Sequence, residues 1–125
     1  MKYSISFRPN PKEDSEPKRY YANPIWNGIC STDELANEIS LATTLSPADV
    51  KACIACFMQS IPQHLMKGEA VNCEGFGIFR LSFSVKEGHL ESKDVSSSDI
   101  KKFRVLFRPC SKLKKQLEST PVSKR

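Results

Sequence analysis

The segment from Ser46 to Gly68 constrains the fold more than any other part of this chain. Serine followed by proline is typical of a helix start, because the serine oxygen caps the first turn and proline has no N–H to lose there. The glycine at the far end predicts the helix stop. Alanines and cysteines flank the apolar stripe, so little polar surface is left along the middle of the helix. The stripe consists of Val50, Cys53, Ile54, Phe57, Met58, Ile61 and Leu65.

A helix that is apolar around much of its girth has to be covered on more than one side. The chain has 125 residues, which favours one compact domain with a short extension. One further short helix and a small sheet cannot cover such a helix, so we expect a partner subunit. Pro62 removes one helical hydrogen bond and predicts a kink in the last turn.

The segment before this helix contains an extension and a second helix. Residues 1–28 form the predicted extension, in which Tyr3, Ile5 and Phe7 alternate as in a short strand and the prolines of residues 9–18 predict a loop. The apolar residues after this loop are expected to pack on the main body, and for Trp26 and the two tyrosines the alternative is a stacking platform for bases. They are Tyr20, Tyr21, Ile25 and Trp26. The capping box Ser31-Thr-Asp-Glu34 then predicts a helix that ends near Thr43-Thr44.

The segment after the long helix predicts a small sheet and a third helix. Residues 69–83 are typical of two strands joined by a turn at Gly75-Phe76-Gly77, and residues 84–99 form a polar excursion. Ile100 to Phe107 predicts a third strand, with apolar and basic side chains on opposite faces. FRPCSKLKKQL predicts a short basic helix, which closes a main domain over residues 29–118. The last residues, 119–125, are expected to be disordered.

Charge is distributed unevenly along the chain. The net charge is +5, but residues 1–28 carry +2, residues 29–79 carry −4 and residues 80–125 carry +7. A basic C-terminal third beside an acidic middle suggests an oriented face that attracts a polyanion, although a solvated surface with a basic tail explains the same numbers. No apolar run approaches the ~20 residues of a membrane span, and no secretory signal is apparent. We therefore expect a soluble, cytoplasmic protein.

Cysteines and histidines do not indicate an enzyme or a metal site. The five cysteines lack the spacing of a disulfide framework, and Cys53-Ile-Ala-Cys56 has no second pair at zinc-finger spacing. His64 and His89 have no recognisable acid, nucleophile or metal-ligand companion. We expect no catalytic residue, no metal, no cofactor and no small-molecule substrate.

The order of elements and two separated motifs resemble the HU and integration host factor family of bacterial histone-like proteins. Residues 32–81 resemble the first half of that family without a gap, including a Gly-Phe-Gly-x-Phe signature at Gly75 to Phe79. FRPCSKLKKQL resembles the Phe-Arg/Lys-Pro-Gly-x-x-Leu-Lys motif near the C-terminus of that family. Tyr20-Tyr21-Ala22 is similar to an HU-related group with an N-terminal extension. The resemblance covers about residues 31–118.

The resemblance implies an α+β fold and an intertwined homodimer. Two N-terminal helices, a three-stranded antiparallel saddle sheet with a β-ribbon arm and a short C-terminal helix are expected from each chain, and the two arms embrace the DNA minor groove. Gly75 and Gly77 would allow a tight turn and offer N–H groups to phosphate. The residues expected in the dimer core are Ile54, Phe57, Met58, Ile61, Phe76 and Phe79.

The polar excursion departs from the family where the arm meets DNA. The family has Arg-Asn-Pro at the arm tip, where the proline wedges between base pairs. Here residues 82–102 contain no proline, and residues 84–100 carry two lysines and four acids, a net charge of −2. We therefore assign no residue of this chain the role of inserting between base pairs. The expected phosphate contacts lie on the sheet and last helix: Arg80, Lys101, Lys102, Arg104, Arg108, Lys112, Lys114 and Lys115.

Three functions are compatible with these features. The first is architectural, nucleoid-associated binding of double-stranded DNA without sequence selectivity, in which cations neutralise phosphates and release counterions. The second is a protein-interaction module that keeps the dimeric scaffold and has lost nucleic-acid binding. The third is RNA binding through the same charges. The acidic excursion favours the second, and the basic C-terminal third favours the first.

Overall fold

The computed structural model describes residues 1–8 and 19–125, and the predicted proline-rich loop at residues 9–18 lies outside them. The described residues form three helices and six strands in two sheets. The helices are α1 (Thr32–Ala42), α2 (Pro47–Met66) and α3 (Ser111–Glu118), and the strands are β1 (Lys2–Arg8), β2 (Arg19–Ile25), β3 (Val71–Cys73), β4 (Gly77–Val85), β5 (Ile100–Pro109) and β6 (Ser123–Lys124).

Local capping defines the start of the first two helices and the end of α2, as predicted. Ser31 Oγ accepts from the Glu34 N–H at 3.2 Å, and the Glu34 carboxylate accepts from the Ser31 N–H at 2.8 Å. The second bond is the main cause that lowers the pKa of Glu34. Ser46 caps α2 by accepting from the Asp49 N–H at 3.2 Å. Gly68, with φ +83°, adopts the left-handed conformation that ends α2.

The first sheet is antiparallel with strand order β3-β4-β5. β3 pairs only with the start of β4, from Cys73 opposite Gly77 to Val71 opposite Phe79. The pairing of β4 with β5 continues to Val85 opposite Ile100. Beyond Phe79 the two strands therefore form a two-stranded ribbon of residues 80–85 and 100–106, which we call the arm. Residues 86–99, called the tip, connect its strands.

The two glycines of the predicted turn are required for different physical reasons. Gly75 has φ +77°, so it supplies a conformation that other residues rarely adopt. Gly77 is buried, and a Cβ there would lie 2.5 Å from both the Arg108 carbonyl oxygen and Phe107 Cε2. Gly77 is thus required because β4 and β5 approach each other closely. Since Gly77 is buried, the structure does not support the phosphate contact expected of it.

The second sheet corrects two expectations about the termini. Its strand order is β2-β1-β6, with β1 antiparallel to β2 and parallel to β6. The tail is not disordered, because Ser123 and Lys124 pair with Lys2 and Tyr3, and the N-terminal amine donates to the Pro121 carbonyl at 2.8 Å. The second correction concerns Trp26, which is 84% exposed and does not pack on the main body of this chain.

Few side chains are buried within one chain. Among the described hydrophobic residues, only Ala36, Val50 and Leu65 are buried. Phe57 and Met58 of α2 are 54% and 58% exposed. A domain of this size ordinarily buries far more apolar surface. The apolar surface predicted for α2 is therefore covered at Val50 and Leu65 but largely exposed around Phe57 and Met58 in the single chain.

No single helix of the described chain is long and apolar enough to cross a membrane. Only α1 and α2 taken together, across a bend of 120°, reach the necessary length and composition.

Candidate nucleic-acid interface

The β4–β5 pair has one apolar and one cationic face. Side chains alternate between the faces of a strand, so the register assigns each pair to a face. The apolar face carries the pairs Phe79–Phe107, Leu81–Val105 and Phe83–Phe103. The opposite face carries the pairs Ile78–Arg108, Arg80–Leu106, Ser82–Arg104 and Ser84–Lys102. This confirms the predicted division of apolar and basic residues along β5.

Four side chains of the second face, which we call the cationic row, are Arg80, Lys102, Arg104 and Arg108. Each cation lies opposite an uncharged residue, so no two of them are direct cross-strand neighbours. From Lys102 to Arg108 the row extends about 20 Å along the strand. One strand of duplex DNA has a phosphate about every 3.4 Å of helix axis, so the row spans roughly six phosphates.

The cations of the row and of α3 are available to an anion. All four side chains of the row are exposed, as are Lys112, Lys114 and Lys115 of α3. The ion pairs among residues 1–8 and 19–125 are Lys51–Asp33, His64–Glu69, His89–Asp99 and Lys93–Glu91. None of these pairs involves the row or α3. The cations are thus not neutralised by carboxylates of the described chain.

A cleft connects the row to α3. It has a volume of about 460 Å³ and is lined by Arg80 and Arg108 of the row and by Lys114 of α3. The first turn of α3 is fixed there because the Cys110 N–H donates to the Phe76 carbonyl at 2.9 Å and Cys110 Sγ accepts from the Leu113 N–H at 3.4 Å. The turn at the start of β4 and the basic helix are therefore held together.

Aromatic packing supports the row from the other face of the sheet. The ring of Phe107 lies 4.7 Å from that of Phe79 and 5.2 Å from that of Phe76, measured between centroids. Phe76 and Phe79 were predicted to lie in a dimer core, and within one chain they belong to this cluster. Further along the arm, Phe83 and Phe103 pack edge to face at 5.9 Å. Phe103 is 63% exposed, so the apolar face of the arm is also uncovered.

Lys101 does not lie in the row. A register shift between Ser84 and Val85 places it beside the irregular end of the arm. It lines a separate pocket with Lys86, His89 and Asp99. Of the eight cations predicted from the sequence, four lie in the row and three on α3, whereas Lys101 lies at the end of the arm beside the tip.

The tip is organised by Asp99. Its carboxylate accepts from the Ser96 N–H at 2.8 Å and lies 2.9 Å from His89 Nε2, and its carbonyl accepts from the Lys86 N–H at 3.0 Å. The hydrogen bond with His89 is the main cause that lowers the pKa of Asp99, followed by the bond from Ser96. Two short 3₁₀ turns, Ser92–Asp94 and Ser97–Asp99, complete the tip. Sequence reasoning missed this arrangement, although Ser96-Ser-Ser-Asp99 resembles a capping box.

The remaining candidate groups do not converge on a site. Cys53 and Cys56 are both exposed free thiols on α2. Within the described part of the chain, no three side chains of histidine, cysteine, aspartate or glutamate are grouped so that they could hold a metal ion. His64 pairs with Glu69 at 3.3 Å, at the end of α2.

A family model named HU-HIG, described as an HU domain fused to a wHTH, Ig or glycine-rich motif, matches residues 1–124. The chain belongs to the HU-HIG family. Integration host factor subunit alpha from Aliivibrio fischeri and that from Aliivibrio salmonicida are each 34% identical to it over 92 residues, which are 73% of this chain and 94% of the relative. The resemblance to the HU and integration host factor family is thereby confirmed.

Solved structures with similar folds include HU proteins. A point mutant of HU from Thermotoga maritima has a TM-score of 0.52 at 20% identity, over 70% of this chain and 99% of its own. HU of an Anabaena HU–DNA cocrystal has a TM-score of 0.57 at 14% identity, over 73% of this chain and 100% of its own. The structural similarity establishes the HU-like α+β fold, and at such low sequence identity it establishes nothing more.

A longer structure also covers the extension. A candidate bacterial DNA-binding protein from Bacteroides vulgatus has a TM-score of 0.64 at 14% identity over 99% of this chain. This chain spans 47% of that protein.

Proposed function

We propose that this protein binds double-stranded DNA as a dimer, without sequence selectivity, through the cationic row and α3. The observation that carries the proposal is the row itself: four exposed cations on one face, aligned over about 20 Å and free of carboxylate partners among the described residues. The relatives support this choice of polyanion, because one is named integration host factor and another is an HU crystallised with DNA.

The chemistry of such a surface is electrostatic. Arginine and lysine side chains contact phosphate oxygens and release condensed counterions, which gives affinity but reads no base sequence. The four cations of the row come from two neighbouring strands, so their spacing is fixed by the sheet. The cleft adds Lys114 beside Arg80 and Arg108, where one phosphate could be contacted from both elements. Gly75 remains a proposed backbone donor at the rim, whereas buried Gly77 is left out.

The dimer is proposed from the uncovered apolar surface. α2 exposes Phe57 and Met58, and a groove between α1 and α2 is lined by Ile39, Ile54 and Phe57. A second copy offers the same apolar helix in return, as in an isologous interface. The proposed interface includes Ile54, Phe57, Met58 and Ile61 on α2 and the exposed apolar face of the arm.

The tip is proposed to take no part in intercalation. Its backbone closes on Asp99, it contains no proline, and residues 84–100 carry a net charge of −2. An acidic loop is repelled by phosphate, so DNA contact is expected to end on the arm before the tip. The same observation supports the second candidate function, a protein-interaction module in which the tip contacts a protein partner.

A salt titration of DNA binding separates these functions. We expect similar affinity for two short duplexes of unrelated sequence and a loss of about a thousandfold or more between 50 and 200 mM salt, if a dimer engages roughly six to eight cations. Light scattering is expected to give about twice the mass of one 14.1 kDa chain. Absence of salt-sensitive binding by a dimer would favour the protein-interaction module, and a monomer would contradict the proposed interface.

A further inference from the structure

The sheet of β1, β2 and β6 has a polar face that the proposed DNA surface does not use. The register of β1 and β2 assigns their side chains to two faces. One face is apolar and includes Ile5 opposite Ala22 and Phe7 opposite Tyr20. The other face carries Lys2, Ser4, Ser6, Arg8, Arg19, Tyr21, Asn23 and Ile25.

Among the residues that the structure describes, no carboxylate pairs with the charges of this polar face. Arg8 lies directly opposite Arg19, and like charges in directly opposed cross-strand positions destabilise a sheet. β1, β2 and β6 contain no aspartate or glutamate. The ion pairs found among the described residues include neither these two arginines nor Lys2. A bound anion between Arg8 and Arg19 would remove their repulsion.

The same face also has the polar groups that phosphate contacts use. Asn23 Nδ2 donates to Ser6 Oγ at 2.6 Å and to the Tyr21 carbonyl at 3.3 Å, which fixes the amide on the sheet surface. Ser4 lies opposite Asn23, and Tyr21 is 47% exposed. The hydroxyl groups of this face, together with its guanidinium groups, are among the usual donors to the DNA backbone. From Lys2 to Arg8 the cations span about 20 Å.

This face is attached closely to the basic helix. Four residues connect Glu118, the end of α3, to β6, and Ser123 of β6 pairs with Lys2. Even a fully extended connection brings Ser123 within about 18 Å of Glu118. One turn of duplex DNA is about 34 Å long. A duplex held by the lysines of α3 can therefore extend to the second sheet within one helical turn.

We propose that the polar face of the β2-β1-β6 sheet is a second contact surface for duplex DNA, with Lys2, Arg8 and Arg19 on phosphates that flank the segment held by the cationic row. This inference rests on the proposed function, since it requires the row and α3 to hold DNA. The extension then lengthens the bound site, and it contributes affinity without reading sequence.

The test compares salt slopes of the full chain and its variants on a 30-base-pair duplex by fluorescence anisotropy. Replacing both arginines (Arg8→Ala with Arg19→Ala) is expected to make the slope of log affinity against log salt shallower, by up to about 3.6 for a dimer that loses four phosphate contacts. A matched control, Lys67→Ala with Lys93→Ala, removes the same charge outside both surfaces and should leave the slope unchanged. The charge-preserving pair Arg8→Lys with Arg19→Lys should retain most of the wild-type slope.

The outcomes distinguish this inference from the proposed function. If the wild type binds with a steep slope and the arginine-to-alanine pair has the same slope, the second surface is wrong and the row stands. If the control pair lowers the slope equally, the effect is one of net charge and the inference fails. Loss of slope in the lysine pair would assign the arginines a structural role and would also overturn it. A wild type without salt-dependent binding would remove the proposed function itself.

Discussion

The base and the tip of the β4–β5 ribbon are built by different physical means. At the base, Phe107 packs on two other phenylalanines, buried Gly77 permits close strand contact, and cations line the opposite face. At the tip, polar bonds to Asp99 hold a loop in which acids outnumber lysines. The difference indicates that the packed, apolar base supports the face that carries the cations, whereas the tip closes the ribbon without adding positive charge.

The largest effect on stability is expected at the base. A methyl group in Gly77→Ala would meet Phe107 Cε2 and the Arg108 carbonyl at 2.5 Å, and the second of these is backbone that cannot rotate away. Overpacking of this kind typically costs about 1–3 kcal/mol. We expect the free energy of unfolding, measured by urea denaturation, to fall by about that amount, with a weaker near-UV signal from the aromatic cluster.

A glycine at the tip provides the matched control. A Cβ added at Gly88 would meet nothing within 4 Å, and the residue does not have a positive φ. Gly88→Ala is therefore expected to change the free energy of unfolding by less than about 0.5 kcal/mol. Equal losses in the two alanine variants would refute the contrast between a packed base and an open tip.

A smaller, local effect is expected at Asp99. The pKa of its carboxyl group lies below that of an unfolded aspartate, chiefly because of the hydrogen bond with His89. The ionised form therefore stabilises the folded tip above the unfolded pKa, about 3.9, and this contribution is lost as pH falls through the lowered pKa. An NMR titration should show the Ser96 amide lose its hydrogen-bonded shift only in this acidic range.

Asp99→Asn sharpens the same comparison. The amide cannot act as the charged acceptor for both Ser96 and His89, so the tip should open already at neutral pH while the resonances of Phe79 and Phe107 at the base stay unchanged. The groups that surround the pair, Lys86 and Lys101, should report the same opening. A shift that spreads to the base would show that the tip and base fold as one unit.

Most of the main domain could be predicted because its signals are local. Ser31 with Glu34, Ser46 with Pro47, and Gly68 each determine a helix end through contacts within four or five residues. The alternation of charges along β5 predicted the two faces of the arm, because side chains alternate strictly in a strand. The family signature added the order of elements.

Non-local and irregular features could not be predicted in this way. STPVSKR has no apolar alternation, and its pairing with β1 depends on a contact between the two ends of the chain. Lys101 was assigned to the phosphate surface by charge alone, and only the register shift at Ser84 and Val85 takes it out of the cationic row. Trp26 directly follows β2 and is exposed, and the pairing of β2 with β1 in a separate sheet was not indicated by the mixed sequence of this segment.

The most direct test reverses two charges on the arm and two at the tip. Lys102→Glu with Arg104→Glu changes the cationic row, and Lys86→Glu with Lys93→Glu changes net charge equally at the tip. Titrated with a short duplex at about 50 mM salt, the arm variant is expected to lose about a hundredfold or more in affinity and the tip variant less than about threefold. Unchanged binding by the arm variant, or an equal loss in both, would contradict the assignment of the cationic row as the DNA surface.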